Sequence, residues 1–149
     1  MLSISLDKCA CEVLETVPLV MRTVRAEMRR RCAADLSVPQ FRTLNFLGHQ
    51  AGASLSEVAE HIGLKLPSIS VLVDGLVERR LVSRTPCATD RRRITLTLTA
   101  RGQSVLEATH AATQAALAGK LAALSAQDRL TVAQAMQALR SIFEIAAQG

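Results

Sequence analysis

The stretch from Ser83 to Thr99 contains the residues whose types and spacing most clearly indicate a chemistry. Three consecutive arginines, Arg91, Arg92 and Arg93, follow a strand-like segment and precede a strict alternation of apolar and polar residues. The apolar positions of that alternation are Ile94, Leu96 and Leu98. Period-two alternation predicts a half-buried strand, so the stretch is interpreted as a β-hairpin with the arginines at its tip. Such a tip projects fixed positive charge and suits a groove lined with phosphates.

The net charge of the chain is concentrated around this hairpin. The 149 residues carry a formal charge of +5. The segment from Lys65 to Arg101 has eight basic and three acidic residues and therefore accounts for the whole excess. A basic excess confined to one segment indicates a binding face. With 49% apolar residues, no Trp or Tyr and three Phe, the chain is expected to form a single domain with an aliphatic core.

The composition also indicates the cellular compartment. No apolar run approaches the roughly 20 residues of a membrane-spanning helix, and the N-terminus does not resemble an export signal. The cysteines are interpreted as reduced cytosolic thiols rather than a disulfide framework. They are Cys9, Cys11, Cys32 and Cys87. The sequence therefore predicts a cytoplasmic protein with no membrane partner and no cofactor.

Helical segments are predicted on both sides of the hairpin. A first helix from Asp7 to Val17 is expected to break or kink at Pro18, where a second helix can begin and continue to about Ala34. The remaining predicted helices are Ser37–Gly48, Ser54–Gly63, Leu66–Arg80, Arg101–Leu124 and Gln127–Ala147. The expected cap of the helix at 54–63 is Ser54 or Ser56, with Glu57 three residues after Ser54 as in a capping box. Thr99, and Ser125 with Asp128, are the expected caps of the last two helices. The predicted fold class is mainly α with a small β-hairpin.

The two C-terminal helices carry apolar stripes that need a partner. The stripe of the first is Leu106, Thr113, Leu117, Leu121 and Leu124, and that of the second is Val132, Met136, Leu139, Phe143 and Ala146. Helices of this length exceed what a small head domain can cover, so the stripes are expected to pack against a second copy.

A helix-turn-helix is indicated by three residues before the hairpin. Ala59 permits a close crossing of two helices, Gly63 can adopt positive φ in the turn, and Ile69 packs the second helix on the first. On that second helix, Ser68, Ser70, Val71 and Asp74 lie opposite the apolar stripe. A basic hairpin that directly follows a helix-turn-helix predicts a winged helix-turn-helix.

Several motifs resemble the multiple-antibiotic-resistance-regulator (MarR) family. They are Leu36–Phe41, Leu55–Ala59, Pro67–Ser70, Leu72–Asp74, and Asp90-Arg-Arg92 followed by Leu98-Thr99-x-x-Gly102. The resemblance extends from about Pro18 to Gly149, and the last pattern is its most specific part. It implies an obligate homodimer on a pseudo-palindromic operator in double-stranded DNA. The implied organisation is one domain, 1–149, with dimerisation helices at 1–35 and 101–149 and a DNA-binding lobe at 36–100.

The resemblance also implies roles for individual residues. The helix Leu66–Arg80 would enter the major groove and Arg92 a minor groove, while Asp90 would brace the wing by pairing with an arginine. The full set of expected DNA contacts is Lys65, Pro67, Ser68, Ser70, Val71, Arg84, Arg91, Arg92 and Arg93. This chain departs from the family at three positions: Lys65 replaces the usual cap residue, Arg80 a glycine, and Val71 a frequent arginine. Val71 suits a thymine methyl group rather than guanine.

Other candidate sites are less clearly specified. Family members are released from DNA by small effectors, and Arg22, Arg25, Phe41 and Leu44 would form a mixed apolar and cationic pocket for an aromatic carboxylate or similar anion.

Cys9 and Cys11 precede an arginine-rich helix, which favours the thiolate form and leaves redox sensing open as a function. The family's peroxide sensors pair a cysteine with tyrosines, which this chain lacks. His110 is interpreted as a core or interface histidine, and no metal site is predicted.

The leading hypothesis is a dimeric DNA-binding regulator that acts as a repressor and is released by a small ligand. The alternative is a thiol-based redox regulator that uses Cys9 or Cys11. An enzyme is rejected because the sequence has neither a Cys/His/Asp constellation nor a glycine-rich phosphate loop. A winged helix used only for protein contacts has no need for three arginines at the tip.

Overall fold

The computed structural model describes residues 3–32 and 35–146. The helices are α1 (Leu6–Arg31), α2 (Val38–His49), α3 (Leu55–Ile62), α4 (Leu66–Glu78), α5 (Ala100–Leu121) and α6 (Ala126–Ala146). The strands are β1 (Ala53–Ser54), β2 (Val82–Pro86) and β3 (Ile94–Leu98). The predicted mainly helical fold with a small hairpin is confirmed. The chain divides into two units, residues 1–113 and 114–149, which are described separately.

Side-chain caps set the starts of several helices at the predicted places. Ser37 Oγ accepts the Gln40 N–H while the Gln40 side chain accepts the Ser37 N–H, a reciprocal capping box. Ser54 Oγ accepts the Glu57 N–H at 3.1 Å at the start of α3. Ser125 does the same for Asp128 at the start of α6. Each cap satisfies a backbone donor that the first helical turn leaves free.

The N-terminal segment differs from the prediction of two helices. α1 is one continuous helix with Pro18 inside it, so the predicted break is wrong. Proline removes a single N–H bond, the one to the carbonyl of Leu14, and the turns on either side keep theirs. The predicted end at about Ala34 lies outside the described residues, as does the predicted end of the last helix at Ala147.

The core of the first unit lies between α2, α3, α4 and the sheet. Its fully buried side chains are aliphatic apart from two threonines, as the composition predicted. They include Leu44, Leu47, Ile69, Val73, Leu76, Leu81 and Leu96. Leu72 is only half-buried at the edge of this cluster.

The sheet has one strand more than the sequence predicted. Its order is β1-β3-β2, with both pairs antiparallel, so β3 is central. β1 consists of two residues, and Ala53 pairs with Leu96. Leu96 is 1% exposed, whereas Ile94 on the same face is 49% exposed. The predicted alternation therefore reaches the core from the middle of the strand onward, and Ile94 near the tip stays outside it.

The Leu98-Thr99-x-x-Gly102 pattern joins α5 to the loop that follows α4. The Thr99 N–H donates to the Leu81 carbonyl at 3.1 Å, and the Thr99 hydroxyl donates to the Arg80 carbonyl and accepts the Gly102 N–H. A Cβ on Gly102 would collide with the carbonyl oxygen of Leu81. Glycine is required at position 102 because its backbone lies directly against that of Leu81. Thr99 caps α5, as the sequence predicted.

Of the two long C-terminal helices, α6 exposes much of its apolar surface. In the α5 stripe, Leu106 and Thr113 are buried within the single chain and Leu117 is half-buried, so the prediction that this whole stripe needs a second copy is wrong. α5 ends at Leu121 rather than Leu124. Its His110 is exposed in the single chain, so a core position is wrong and an interface position stays a prediction. In the second unit, the α6 residues Val132, Met136 and Phe143 are all exposed and Leu139 is half-buried. The side chain of Ala146, the last member of that stripe, is outside the described residues. The described part of α6 therefore presents an apolar face within the single chain.

Candidate nucleic-acid interface

The helix-turn-helix is built by α3, a three-residue turn and α4. Ala59 is buried at the crossing, and Ile69 is fully buried beneath α4. Gly63 ends α3 with φ of 79°, in the left-handed region that glycine adopts without a steric penalty. The three residues therefore occupy the positions and conformations that the sequence predicted.

The outward face of α4 carries small side chains in its first turns. Lys65, Pro67, Ser68 and Val71 are exposed, while Ser70 is half-buried. Lys65 precedes the helix and makes no side-chain cap bond, in contrast to Ser37 and Ser54. The first backbone N–H groups of α4 thus lack a side-chain acceptor. The positive end of the helix dipole and the Lys65 charge lie at this terminus.

The wing tip is closed by backbone hydrogen bonds that leave the arginine side chains free to project. Asp90 Oδ1 accepts the Arg92 N–H at 3.0 Å, and the Asp90 carbonyl accepts the Arg93 N–H at 3.0 Å. Arg91, Arg92 and Arg93 are all exposed. The resemblance implied that Asp90 pairs with an arginine side chain. Within the described residues Asp90 forms no ion pair, and it acts on the backbone of Arg92 instead.

Arg84 lies on β2 and forms an ion pair with Asp74 of α4. From the sequence, Arg84 was expected to contact DNA and Asp74 was placed only on the outward face. Ten residues separate the two, so no local periodicity signals their contact. The pair connects the wing to the helix that precedes it.

A groove separates the wing from the start of α3. It encloses about 300 Å³, and its lining residues are Ser54, Leu55, Ser56, Arg92, Arg93 and Ile94. Nothing in the sequence placed Ser54 and Ser56 beside the wing. Their proximity follows from the pairing of β1 with β3, which a two-residue strand does not reveal in sequence.

Cys87 lies where β2 enters the wing tip. Hydrogen bonds from the Thr89 side chain, then from the backbone N–H groups of Thr89 and Asp90, lower the pKa of the Cys87 thiol from its usual value, and Arg93 adds a favourable charge. The Cys87 Sγ and Thr89 Oγ1 atoms are 3.2 Å apart. The sequence pointed to other cysteines as candidate thiolates. No residue pattern signals this environment because the tip geometry creates it.

Cys9 and Cys11 are exposed in the first turns of α1. The Cys11 thiol donates to Glu15 Oε1 at 3.6 Å. Arg22 lies eleven residues further along the same helix, a separation of roughly 16 Å at the rise of an α-helix. The charged group next to Cys11 is therefore a carboxylate, and the arginines of α1 are distant from it.

The structure brings together only some of the residues that were predicted to bind an effector. Arg25 of α1 and Phe41 of α2 line one cavity of about 50 Å³. Leu44 is buried in the core, and Arg22 does not line this cavity. Residues that the sequence did not point to complete the lining: Met28, Arg29, Cys32, Leu36, Ser37, Val38 and Arg42. Among the described residues, no group of three or more His, Cys, Asp or Glu side chains is placed to hold a metal ion.

Comparison with known proteins gives consistent matches. The MarR family model matches residues 34–93. The transcriptional repressor MdtR of Bacillus subtilis is 26% identical over 130 residues, covering 87% of this chain and 84% of MdtR. The crystal structure of RV1404 from Mycobacterium tuberculosis superposes with a TM-score of 0.76 at 23% identity, covering 96% of this chain and 97% of that one.

MepR of S. aureus has been solved in two relevant states. A point mutant of MepR bound to an oligodeoxyribonucleotide has a TM-score of 0.65 at 20% identity, covering 87% of this chain and 96% of MepR. MepR bound to ethidium bromide has a TM-score of 0.61 at 22% identity, covering 85% and 95%. At these identities the structures show the shared fold. In the part of this chain that the structure describes, no helix is both long and apolar enough to cross a membrane.

Proposed function

We propose that the chain, whose residues 34–93 match the MarR family model, is a dimeric transcriptional repressor that binds a pseudo-palindromic operator and is released by a small ligand. The observation that supports DNA binding is the presence of two suitable surfaces in the first unit. The exposed, small-residue face of α4 stands in the same unit as a wing whose tip exposes Arg91, Arg92 and Arg93. In this proposal α4 lies in the major groove while the wing reaches an adjacent minor groove.

The electrostatics of the surface support this role. Asp90 is turned onto the backbone of Arg92, and Asp74 is paired with Arg84. Neither acid therefore forms an ion pair with an arginine of the tip. Binding that rests on such contacts weakens as salt rises, because each neutralised phosphate releases counterions.

The experiment that tests the proposal is selection of duplexes from a random 30-base-pair library with the purified protein, followed by titration of the enriched duplex at several salt concentrations. We expect enrichment of a two-fold-related sequence and a negative slope of log affinity against log salt. A library that shows no enrichment, or binding that does not depend on salt, would contradict the proposal and favour a winged helix used for protein contacts.

Dimerisation is proposed from exposed apolar side chains on the terminal helices. On α1, Leu6 is 89% exposed and Leu14 is 74% exposed, and on α6 Phe143 is 61% exposed. Each face is amphipathic at helical spacing and has no cover of matching length within the described chain. A second copy would bury these residues, and light scattering of the full chain is expected to give twice the mass of one chain.

Release by a ligand is proposed at the cavity between α1 and α2. Phe41 and Met28 give it apolar walls, and Arg25, Arg29 and Arg42 supply positive charge. Its present volume is below that of typical ligand pockets, about 300–1,000 Å³, so binding requires the cavity to widen. A widening between α1 and α2 would move the lobe that carries the wing.

Benzoate is a suitable probe of this cavity because it combines an aromatic ring with an anion. We expect it to raise the melting temperature of the free protein and to lower its affinity for the selected duplex. Both effects should be reduced in Arg25→Ala. Equal responses of Arg25→Ala and the unaltered chain would argue against this cavity as the effector site.

The redox alternative rests on the exposure of Cys9 and Cys11 on α1. If oxidation is the signal, peroxide lowers operator affinity in the unaltered chain but not in the Cys9→Ser, Cys11→Ser double variant. Equal behaviour of the two proteins leaves ligand release as the mechanism.

A further inference from the structure

The base-reading face of α4 lacks the side chains that recognise purines by paired hydrogen bonds. Arginine and lysine read guanine, and asparagine and glutamine read adenine, through bidentate contacts in the major groove. Between Leu66 and Glu78, a segment that the structure describes in full, none of these four residue types occurs. The exposed positions are instead Leu66, Pro67, Ser68, Val71, Asp74 and Glu78.

Asp74 has a defined partner other than DNA. An aspartate in a recognition helix can accept a hydrogen bond from the exocyclic amine of cytosine. Here the Asp74 carboxylate pairs with Arg84 of the wing. Its Oδ1 atom is therefore engaged with β2. Ser68 and Val71 are the exposed side chains that precede it on the same part of the helix.

Val71 is 72% exposed in the middle of α4. Its two neighbours on the same helical face do not cover it. Ser68 is small and exposed, and Asp74 is paired with Arg84. A β-branched residue has one strongly preferred rotamer in a helix, so its two methyl groups are held in fixed positions. A rigid apolar pair suits one feature of the major groove, the 5-methyl group of thymine.

Resting on the proposed function, we propose that Val71 recognises the 5-methyl group of a thymine in each half-site. The operator is then selected at this position by apolar contact, and a guanine or an unmethylated cytosine is rejected because it offers no methyl group. The chemistry recognised is a 5-methylpyrimidine, which either thymine or 5-methylcytosine supplies. Thymine is the expected source because it needs no modification of the DNA.

The test starts from the duplex enriched from the random 30-base-pair library and replaces each thymine in turn by deoxyuridine, which deletes only the methyl group. For the unaltered chain, one replacement in each half-site is expected to weaken binding about fourfold, the effect of losing one buried methyl group. The Val71→Ala variant should bind the thymine and uridine duplexes equally. Val71→Ile, which keeps a branched apolar side chain, should retain the discrimination.

Two further experiments distinguish the source of the methyl group and test the role of Val71. Replacing the sensitive thymine by 5-methylcytosine, paired with guanine, should preserve more affinity than replacing it by cytosine. Selection with Val71→Arg should change the preferred base at this position to guanine. Because Val71 is largely exposed, these variants are expected to melt at the same temperature as the unaltered chain.

The outcomes distinguish this inference from the function on which it rests. If a duplex is enriched and no uridine replacement changes the affinity of the unaltered chain, the methyl contact is refuted while DNA binding stands. The same holds if Val71→Ala keeps full thymine discrimination. If no duplex is enriched, the proposed function fails and this inference fails with it.

Discussion

At the scale of single residues, the wing tip separates side chains that hold the backbone from side chains that are free to bind. Asp90 is committed to the Arg92 N–H, and the guanidinium of Arg92 is left exposed. A narrow A·T minor groove concentrates negative potential, so an inserted guanidinium gains more there than on an open phosphate surface. Arg92 is therefore expected to contribute more to operator affinity than either neighbour.

We predict that Arg92→Ala weakens binding to the selected duplex by about 1–3 kcal/mol at fixed salt, the usual worth of a specific groove contact. Ser68→Ala and Ser70→Ala should each cost less. The control is Arg129→Ala, an exposed arginine at the start of α6, which should leave affinity unchanged. Unaltered affinity in a folded Arg92→Ala protein would show that the wing does not enter a groove.

The Cys87 thiol gives a second prediction at this scale, on pH dependence. Because hydrogen bonds from Thr89 and Asp90 favour the thiolate, the pKa of Cys87 is lowered. Alkylation by iodoacetamide follows the thiolate, so its rate rises with pH and reaches half its maximum at a lower pH than for an ordinary cysteine. Thr89→Val, which removes the hydroxyl, should move this midpoint to higher pH. Mass spectrometry of the modified peptide gives the rate, and an identical midpoint in both proteins would contradict the assignment.

At the scale of elements, the orientation of the wing depends on α4 through the Asp74–Arg84 pair. Both side chains are partly exposed, so the pair is expected to contribute at most about 1 kcal/mol to folding stability. Its importance lies in geometry, because it connects the helix and the hairpin that must reach the same DNA. In this interpretation Arg84 is a positioning residue and contacts no phosphate.

We predict that Asp74→Ala and Arg84→Ala weaken DNA binding to a similar extent and do not add in the double variant. The charge-reversed pair Asp74→Arg with Arg84→Asp should restore part of the affinity. The slope of log affinity against log salt is expected to stay the same in Arg84→Ala. A slope smaller by about 1, together with unweakened binding by Asp74→Ala, would identify Arg84 as a phosphate ligand instead.

The close backbone contact between Gly102 of α5 and Leu81 in the loop after α4 leads to a prediction about folding stability. Gly102→Ala should lower the free energy of unfolding by about 1–3 kcal/mol, because the added methyl group meets the Leu81 carbonyl oxygen. Gly119 offers the matched control, since a Cβ there meets no atom within 4 Å. Gly119→Ala should stabilise the helix by up to about 1 kcal/mol. Urea unfolding at one fixed protein concentration measures both, and equal effects would show that the backbone contact at Gly102 is not limiting.

Across the whole molecule, features encoded by neighbouring residues were predictable and features made by distant residues were not. The caps at Ser54 and Ser125 and the turn at Gly63 depend on residues within one helical turn, and the structure confirms them. A two-residue strand such as β1 has no sequence pattern of its own and exists only through pairing with β3.

The same reasoning explains what was missed in the candidate site. The arginine tip and the outward face of α4 follow from period-two and helical spacing. The Asp74–Arg84 pair and the environment of Cys87 arise when separate segments are brought together by folding. At Pro18, a local rule predicted a break, but the helical turns on both sides sustain a single helix.

The apolar face of α6 leads to the last prediction, which concerns assembly. Val132, Met136 and Phe143 lie on one helical face and are exposed in the single chain. Truncation after Leu124 removes this face, so the remaining chain is expected to aggregate or to unfold because its own dimer surface is incomplete. A truncated chain that remains a soluble, folded dimer, measured by light scattering, would refute dimerisation through α6. A point variant tests the same surface more gently: Phe143→Glu should lower the dimer's association constant since it places a charge in an apolar contact. Gln134→Glu, on the opposite face of the helix, should leave the mass at that of a dimer.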